Sequence, residues 1–165
     1  MRTISHIVVH CSASPNGRAV SAQEIDAWHR QRGFRRRAPV GQPHLPHIGY
    51  HYVIDIDGTV TEGRSLGEIG AHVAGSNARS IGICMIGTDR YTPAQWDALA
   101  NLRDDLTLTF PEAKWLGHRD FSPDQDGDGV IEPWEFIKTC PGFDVAEWIR
   151  NGGMPRQANL LEAAA

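Results

Sequence analysis

Ile4-Ser5-His6-Ile7-Val8-Val9-His10, followed by Ser21-Ala22-Gln23-Glu24-Ile25, decides the architecture. The uninterrupted apolar core of the first stretch, rich in β-branched residues, reads as a buried strand that ends at His10. Ser21 and Glu24 have the spacing of a capping box, in which each side chain satisfies the other's free backbone N–H. They open a helix that carries Ile25, Trp28 and His29 and stops near Gly33. Strand followed by helix is the unit of an α/β fold.

The alternation continues outward. Arg35 to Pro46 holds three prolines and no periodicity, so it reads as a loop. Ile48 to Ile56 returns as a strand ending in the Asp57-Gly58 turn, and Thr59 to Glu62 pairs back as a hairpin. Ser80 to Ile86 is apolar enough for a central strand. Thr92-Pro93-Ala94-Gln95 supplies an N-cap, a proline at the first helical position and a glutamine at the third. The helix it opens places Trp96, Leu99, Leu102 and Leu106 on one face. Lys114 to Gly117 is a short strand, and a last helix runs from about Val145 to Arg150. The expected organisation is one domain over residues 1–150, with a flexible tail over 151–165 that lacks a partner face.

Composition narrows the class. A chain of 165 residues with 41% hydrophobic content suits one globular domain with a real core. No apolar run approaches the roughly 18 residues of a membrane span. The N-terminus lacks a signal-peptide pattern, so a protein cytoplasmic as synthesised is expected. Three cysteines, Cys11, Cys84 and Cys140, argue against a disulfide framework and leave a metal thiolate open. Charge is segregated: of 20 acids, Asp124, Asp126, Asp128, Glu132 and Glu135 fall within twelve residues, while Arg30, Arg32, Arg35, Arg36 and Arg37 cluster elsewhere. The arginine run reads either as a solvated helix end and loop or as a contact with an anionic envelope surface. With one aromatic and no nucleic-acid motif, it does not suggest nucleic acid.

Two metal sites can be read from residue types. His10 ends the first strand, His118 ends the short strand before it, and Cys140 lies in the turn Lys138-Thr139-Cys140-Pro141-Gly142. Three nitrogen and sulfur donors that leave a fourth position for water are the pattern of a catalytic zinc, the alternative being three unrelated residues. Asp124-Gln125-Asp126-Gly127-Asp128-Gly129-Val130-Ile131-Glu132-Pro133-Trp134-Glu135 matches the twelve-residue calcium loop. Its carboxylates stand at positions 1, 3 and 5, glycine at 6, and glutamate at 12. Asp124, Asp126, Asp128, the Val130 carbonyl and Glu135 are the expected calcium ligands. Pro123 adjoins the loop and no second loop follows, so an EF-hand-like structural staple is expected rather than a sensor.

Val9-His10-Cys11-Ser12, Ile48-Gly49-Tyr50-His51-Tyr52, Gly70-Ala71-His72, Asn77-Ala78-Arg79-Ser80-Ile81-Gly82, Gly117-His118-Arg119-Asp120 and Lys138-Thr139-Cys140-Pro141-Gly142 occur in that order. Together these blocks resemble type 2 N-acetylmuramoyl-L-alanine amidases, the zinc family that includes phage lytic enzymes and peptidoglycan-recognition proteins. The resemblance implies a mixed central sheet flanked by helices, with the calcium loop and the proline-rich loop as insertions. It places His10, His118 and Cys140 on the zinc ligands, Tyr50 and Lys138 on catalytic positions, and His72 on the substrate groove. Lys138 would stabilise the oxyanion of the attacked amide, and Tyr50 would orient water, pass a proton or donate to the oxyanion. His51 and His72 are left between supporting a metal ligand or lining the groove and structural hydrogen bonding, and Cys11 and Cys84 are expected to be buried thiols. The implied activity is cleavage of peptidoglycan between N-acetylmuramic acid and L-alanine, as in an endolysin acting on the wall after release. A cytosolic recycling amidase and a non-catalytic recognition module are the alternatives. Cys140 counts against both, because the resemblance implies aspartate as third ligand in the first and loss of the cysteine in the second.

Overall fold

β1 (His6–Cys11) lies inside a five-stranded sheet in the computed structural model, which describes residues 1–37 and 42–162. Its neighbours β4 (Ser80–Met85) and β5 (Lys114–Gly117) both run parallel to it, with His10 opposite Cys84 and Val9 opposite Gly117. Beyond β4 lie β2 (Tyr52–Ile54), also parallel, and the edge strand β3 (Val60–Glu62), antiparallel to β2. The order is β3-β2-β4-β1-β5. The mixed sheet expected for the chain is therefore present, with the hairpin as its antiparallel part.

Pleating sends alternate residues to opposite faces. Ile7, Val9, Ile81, Ile83 and Met85 pack with Trp96 and Leu99 of α2 (Pro93–Thr109) and with Trp148 of α3 (Val145–Arg150). Val53, Cys84 and Ile86 pack on the other side with Ala22 and Ile25 of α1 (Ala22–Gln31). Both expected capping boxes are formed, Ser21 with Glu24 and Thr92 with Gln95. The α2 and α3 face holds most of the large aromatics, each contributing about 1.5–3 kcal/mol when fully buried. The α1 face takes His10 and the small residues Gly82 and Cys84, which leaves room for a cleft.

Three expectations change. The strand expected over Ile48–Ile56 forms a ladder only at Tyr52–Ile54. Its first part is held by α1 side chains instead: Asp26 accepts from His47 N and Ile48 N, and His29 Nδ1 accepts from Gly49 N. The tail expected to fray is docked as far as Leu161. Asn159 donates to the carbonyls of Asp89 and Gly142, Leu161 N donates to Tyr91 O, and Leu160 packs against the core. The arginine run is not a uniform surface feature. Arg36 is buried, with a bidentate pair to Glu68 and further bonds to the Gln42 and Leu45 carbonyls. The proline-rich loop lies partly outside the described residues.

Candidate metal centre and cleft

A cleft of about 640 Å³ opens on the α1 face, lined among others by His10, Tyr50, His72, His118, Lys138 and Cys140. It therefore gathers all three expected zinc ligands, both expected catalytic residues and the expected groove residue. His10 and Cys11 end β1, Tyr50 precedes β2, and His118 opens a 3-10 turn directly after β5. The C-terminal ends of the parallel strands β1 and β5 bring His10, Cys11 and His118 to one side.

The ligand segments are tied to one another by backbone bonds. Arg119 N donates to Cys140 O at 2.8 Å, and Cys11 N donates to Cys140 Sγ at 3.1 Å. Tyr91 Oη donates to Pro141 O at 2.6 Å, anchoring the cysteine turn in the aromatic core. Gly117 is required at this join, since a Cβ there would stand 2.7 Å from Pro141 Cδ.

His10 Nδ1 and His118 Nδ1 face each other at 3.1 Å, and donor atoms of His10, His118 and Cys140 lie within 4.8 Å of one another. Burial, then neighbouring His72, His118 and Lys138, hold His10 well below its ordinary pKa. Burial and the cations Lys138 and Arg32 draw His118 down to about 4. Both imidazoles are therefore neutral at pH 7 and present lone pairs, the form a metal requires. The Cys11 thiol beside it, and then burial, keep the Cys140 thiol above its ordinary value, so its deprotonation is coupled to arrival of a cation. This donor set fits zinc with one position open.

Tyr50 is set between the rings of His10 and His29, each 5.1 Å away between centroids. Burial raises its phenol well above the ordinary value, so it stays protonated. Lys138 is exposed at the cleft wall two residues before Cys140. His51 is fully buried, its Nδ1 accepting from Gly82 N at 3.0 Å and its Nε2 facing Glu68 O at 3.0 Å. That makes it structural.

Other lining residues escaped the sequence reading. His29, read from the sequence only as a residue carried by α1, reaches the cleft, and Arg32 and Phe34 stand with it, the guanidinium 4.8 Å over the ring. The available signal was a histidine on the apolar stripe of α1. Cys84 is buried as expected, but Cys11 lines the cleft beside Cys140.

The acidic loop lies between His118 and Lys138 without a flanking α-helix; the 3-10 turn His118–Phe121 precedes it and the 3-10 turn Pro133–Glu135 forms its last three residues. Its carboxylates form two overlapping groups, Asp124, Asp126 and Glu135, and Asp126, Asp128 and Glu132. Glu135 is buried, accepting from Gln125 N and Glu132 N, and Glu132 Oε2 is buried with no partner.

Three nitrogen and sulfur donors thus converge in an open cleft on one face of a mixed α/β sheet, an arrangement suited to a hydrolase. The chain belongs to the N-acetylmuramoyl-L-alanine amidase family, whose profile matches residues 1–143. It is 32% identical over 156 residues to an endolysin of Enterobacteria phage K11, covering 90% of this chain and 87% of that one. It is 49% identical over 102 residues to an uncharacterized Haemophilus influenzae protein, covering 57% of this chain and 88% of that protein. Among solved structures, the amidase LysC from Clostridium intestinale matches with a TM-score of 0.68 at 28% identity, covering 91% of this chain and 85% of that one.

Proposed function

We propose that this enzyme is a zinc-dependent lytic amidase of endolysin type, cleaving peptidoglycan between the lactyl group of N-acetylmuramic acid and L-alanine. The observation that carries the reading is the convergence of His10, His118 and Cys140 in a cleft that also holds Lys138 and Tyr50. Zinc bound by two imidazoles and a thiolate supplies a Lewis acid and lowers the pKa of its water toward 7. Lys138 places an ammonium where the amide oxygen gains charge, an effect of about 3 kcal/mol in comparable sites. Tyr50, held protonated, donates a hydrogen bond to that oxygen or to the entering water and is not the general base. His72 lines the groove. The test is zinc-loaded protein incubated with purified sacculi and, separately, with soluble muropeptides. Release of new L-alanine amino termini from sacculi supports the reading; release only from soluble fragments points to a recycling enzyme, and none from either overturns the hydrolase.

We also propose that the loop Asp124–Glu135 binds calcium as a structural ion. The support is the complete ligand pattern, the clustering of its carboxylates and the unpartnered Glu132 Oε2. Binding requires Asp128 to close on the group formed by Asp124, Asp126 and Glu135, with the Val130 carbonyl added. Because the loop joins His118 to Lys138 and Cys140, its order bears on the cleft. Calcium is expected to raise the melting temperature of the zinc-loaded protein and to lose that effect in Glu135→Ala, with zinc still bound. Equal melting with and without calcium removes the proposal. The exposed Arg30, Arg35 and Arg37 are proposed to meet the anionic envelope surface, which salt-dependent pelleting with envelopes tests.

A further inference from the structure

The two ring nitrogens of His72 face different partners. Nδ1 lies 2.9 Å from His10 Nε2, and Nε2 lies 3.3 Å from Ser80 Oγ, which in turn donates to Ser76 O at 2.9 Å. The other nitrogen of His10, Nδ1, is the one that faces His118. These contacts have one consistent direction. A His10 that offers its Nδ1 lone pair to a metal carries its proton on Nε2 and donates it to His72 Nδ1. His72 then carries its own proton on Nε2 and points it at Ser80 Oγ, whose proton goes to the Ser76 carbonyl.

We propose that His72 is a positioning residue for the metal ligand His10, fixing the tautomer and ring orientation that aim Nδ1 at the metal, with Ser80 and the Ser76 carbonyl anchoring the far end of the chain. A ligating histidine usually donates its second nitrogen to such a partner, which also raises ligand basicity. The fold is shaped around this ring. Added Cβ atoms at Gly82 and Gly70 would stand 2.6 Å from His72 Cγ and 2.5 Å from His72 Cδ2. Asn77 Oδ1 accepts from both His72 N and Val73 N, at 2.8 and 2.9 Å, which locks the backbone beneath the ring. The rings of His10 and His72 meet edge to face at 89°, so the nitrogen of one addresses the nitrogen of the other. A residue that only lined the groove would need neither the two-ended bonding nor the glycine socket.

The inference rests on the zinc reading, and its test separates the two. Zinc dissociation constants are measured for wild type, His72→Ala, His72→Asn and Ser80→Ala by competition with a chromogenic chelator, and cobalt(II) spectra are recorded for each. Asparagine places its carbonyl oxygen near the site of Nδ1 and keeps the acceptor. His72→Ala is expected to bind zinc about 10–100-fold more weakly with an altered cobalt spectrum. His72→Asn should stay close to wild type, and Ser80→Ala should show a smaller loss than His72→Ala. Unchanged zinc affinity in His72→Ala with a raised KM overturns the proposal in favour of substrate contact alone. If His72→Ala does not fold, an asparagine variant as weak as a chelated control, or wild-type affinity in Ser80→Ala, overturns it equally. Wild type that binds no zinc overturns the zinc reading instead.

Discussion

Acid should destabilise this fold through histidines that are buried without charge, and His51 provides a number. It is fully buried, and burial outweighs the Glu68 carbonyl bond to bring it from 6.5 to about 4. Between these values the unfolded chain binds a proton that the folded one does not. Stability is therefore unaffected above pH 6.5, falls as pH drops, and levels off below pH 4. At about 1.4 kcal/mol per pKa unit, His51 alone costs about 2 kcal/mol at pH 5 and about 3 kcal/mol at its limit. For a domain of this size, the pH 5 effect is a drop of roughly 4–8 °C in melting temperature. The assay is urea unfolding of wild type and His51→Gln at pH 7.5, 6.0 and 5.0. Glutamine cannot take up the proton, so the variant should lose about 2 kcal/mol less than wild type between pH 7.5 and 5.0 whatever its starting stability. Comparing the two chains cancels the acid response of the cleft histidines. Parallel pH dependences would show that His51 does not titrate as its burial requires, and would refute the reasoning.

If Lys138 acts as the proposed oxyanion donor and not as a ligand, Lys138→Ala lowers kcat on sacculi by about 10²–10³-fold with zinc content unchanged; a wild-type kcat would exclude that role. Arg36→Met should destabilise the protein by about 2–3 kcal/mol in chemical unfolding, since it strands the Gln42 and Leu45 carbonyls and leaves Glu68 only the Ser65 N–H and solvent. A change below 0.5 kcal/mol, ordinary for a surface arginine, would show that the buried pair is not formed. Asn159→Ala removes bonds to the Asp89 and Gly142 carbonyls and is expected to cost about 1–2 kcal/mol in the same assay. Removing residues 151–165 should cost more, because Leu160 leaves the core as well.

Much of the scaffold was legible because its signals are local. Capping boxes at Ser21 and Thr92 rest on side chains three residues apart, and β4 announces itself by the apolar stretch Ser80 to Ile86. The hairpin followed from Asp57-Gly58, although β2 came out shorter than its apolar run because Asp26 and His29 capture the backbone of residues 47–49. The tail was misjudged for the opposite reason. Its short polar stretch has no periodicity, and its hold on the domain is through Asn159 and Leu160, whose partners lie far back in the chain.

By itself, then, the sequence determined the α/β alternation, the helix ends, and the donor types of the two candidate metal sites, because periodicity, capping and donor chemistry are set over a few neighbouring positions. Tertiary structure alone decided which of eight histidines meet a thiol, that Arg36 is buried while its neighbours are exposed, and that His72 stands behind His10. These depend on strand order. Placing β1 between β4 and β5 brings His10, His118 and Cys140 together across more than a hundred residues, and pleating turns Gly82 toward the face where His72 needs its space.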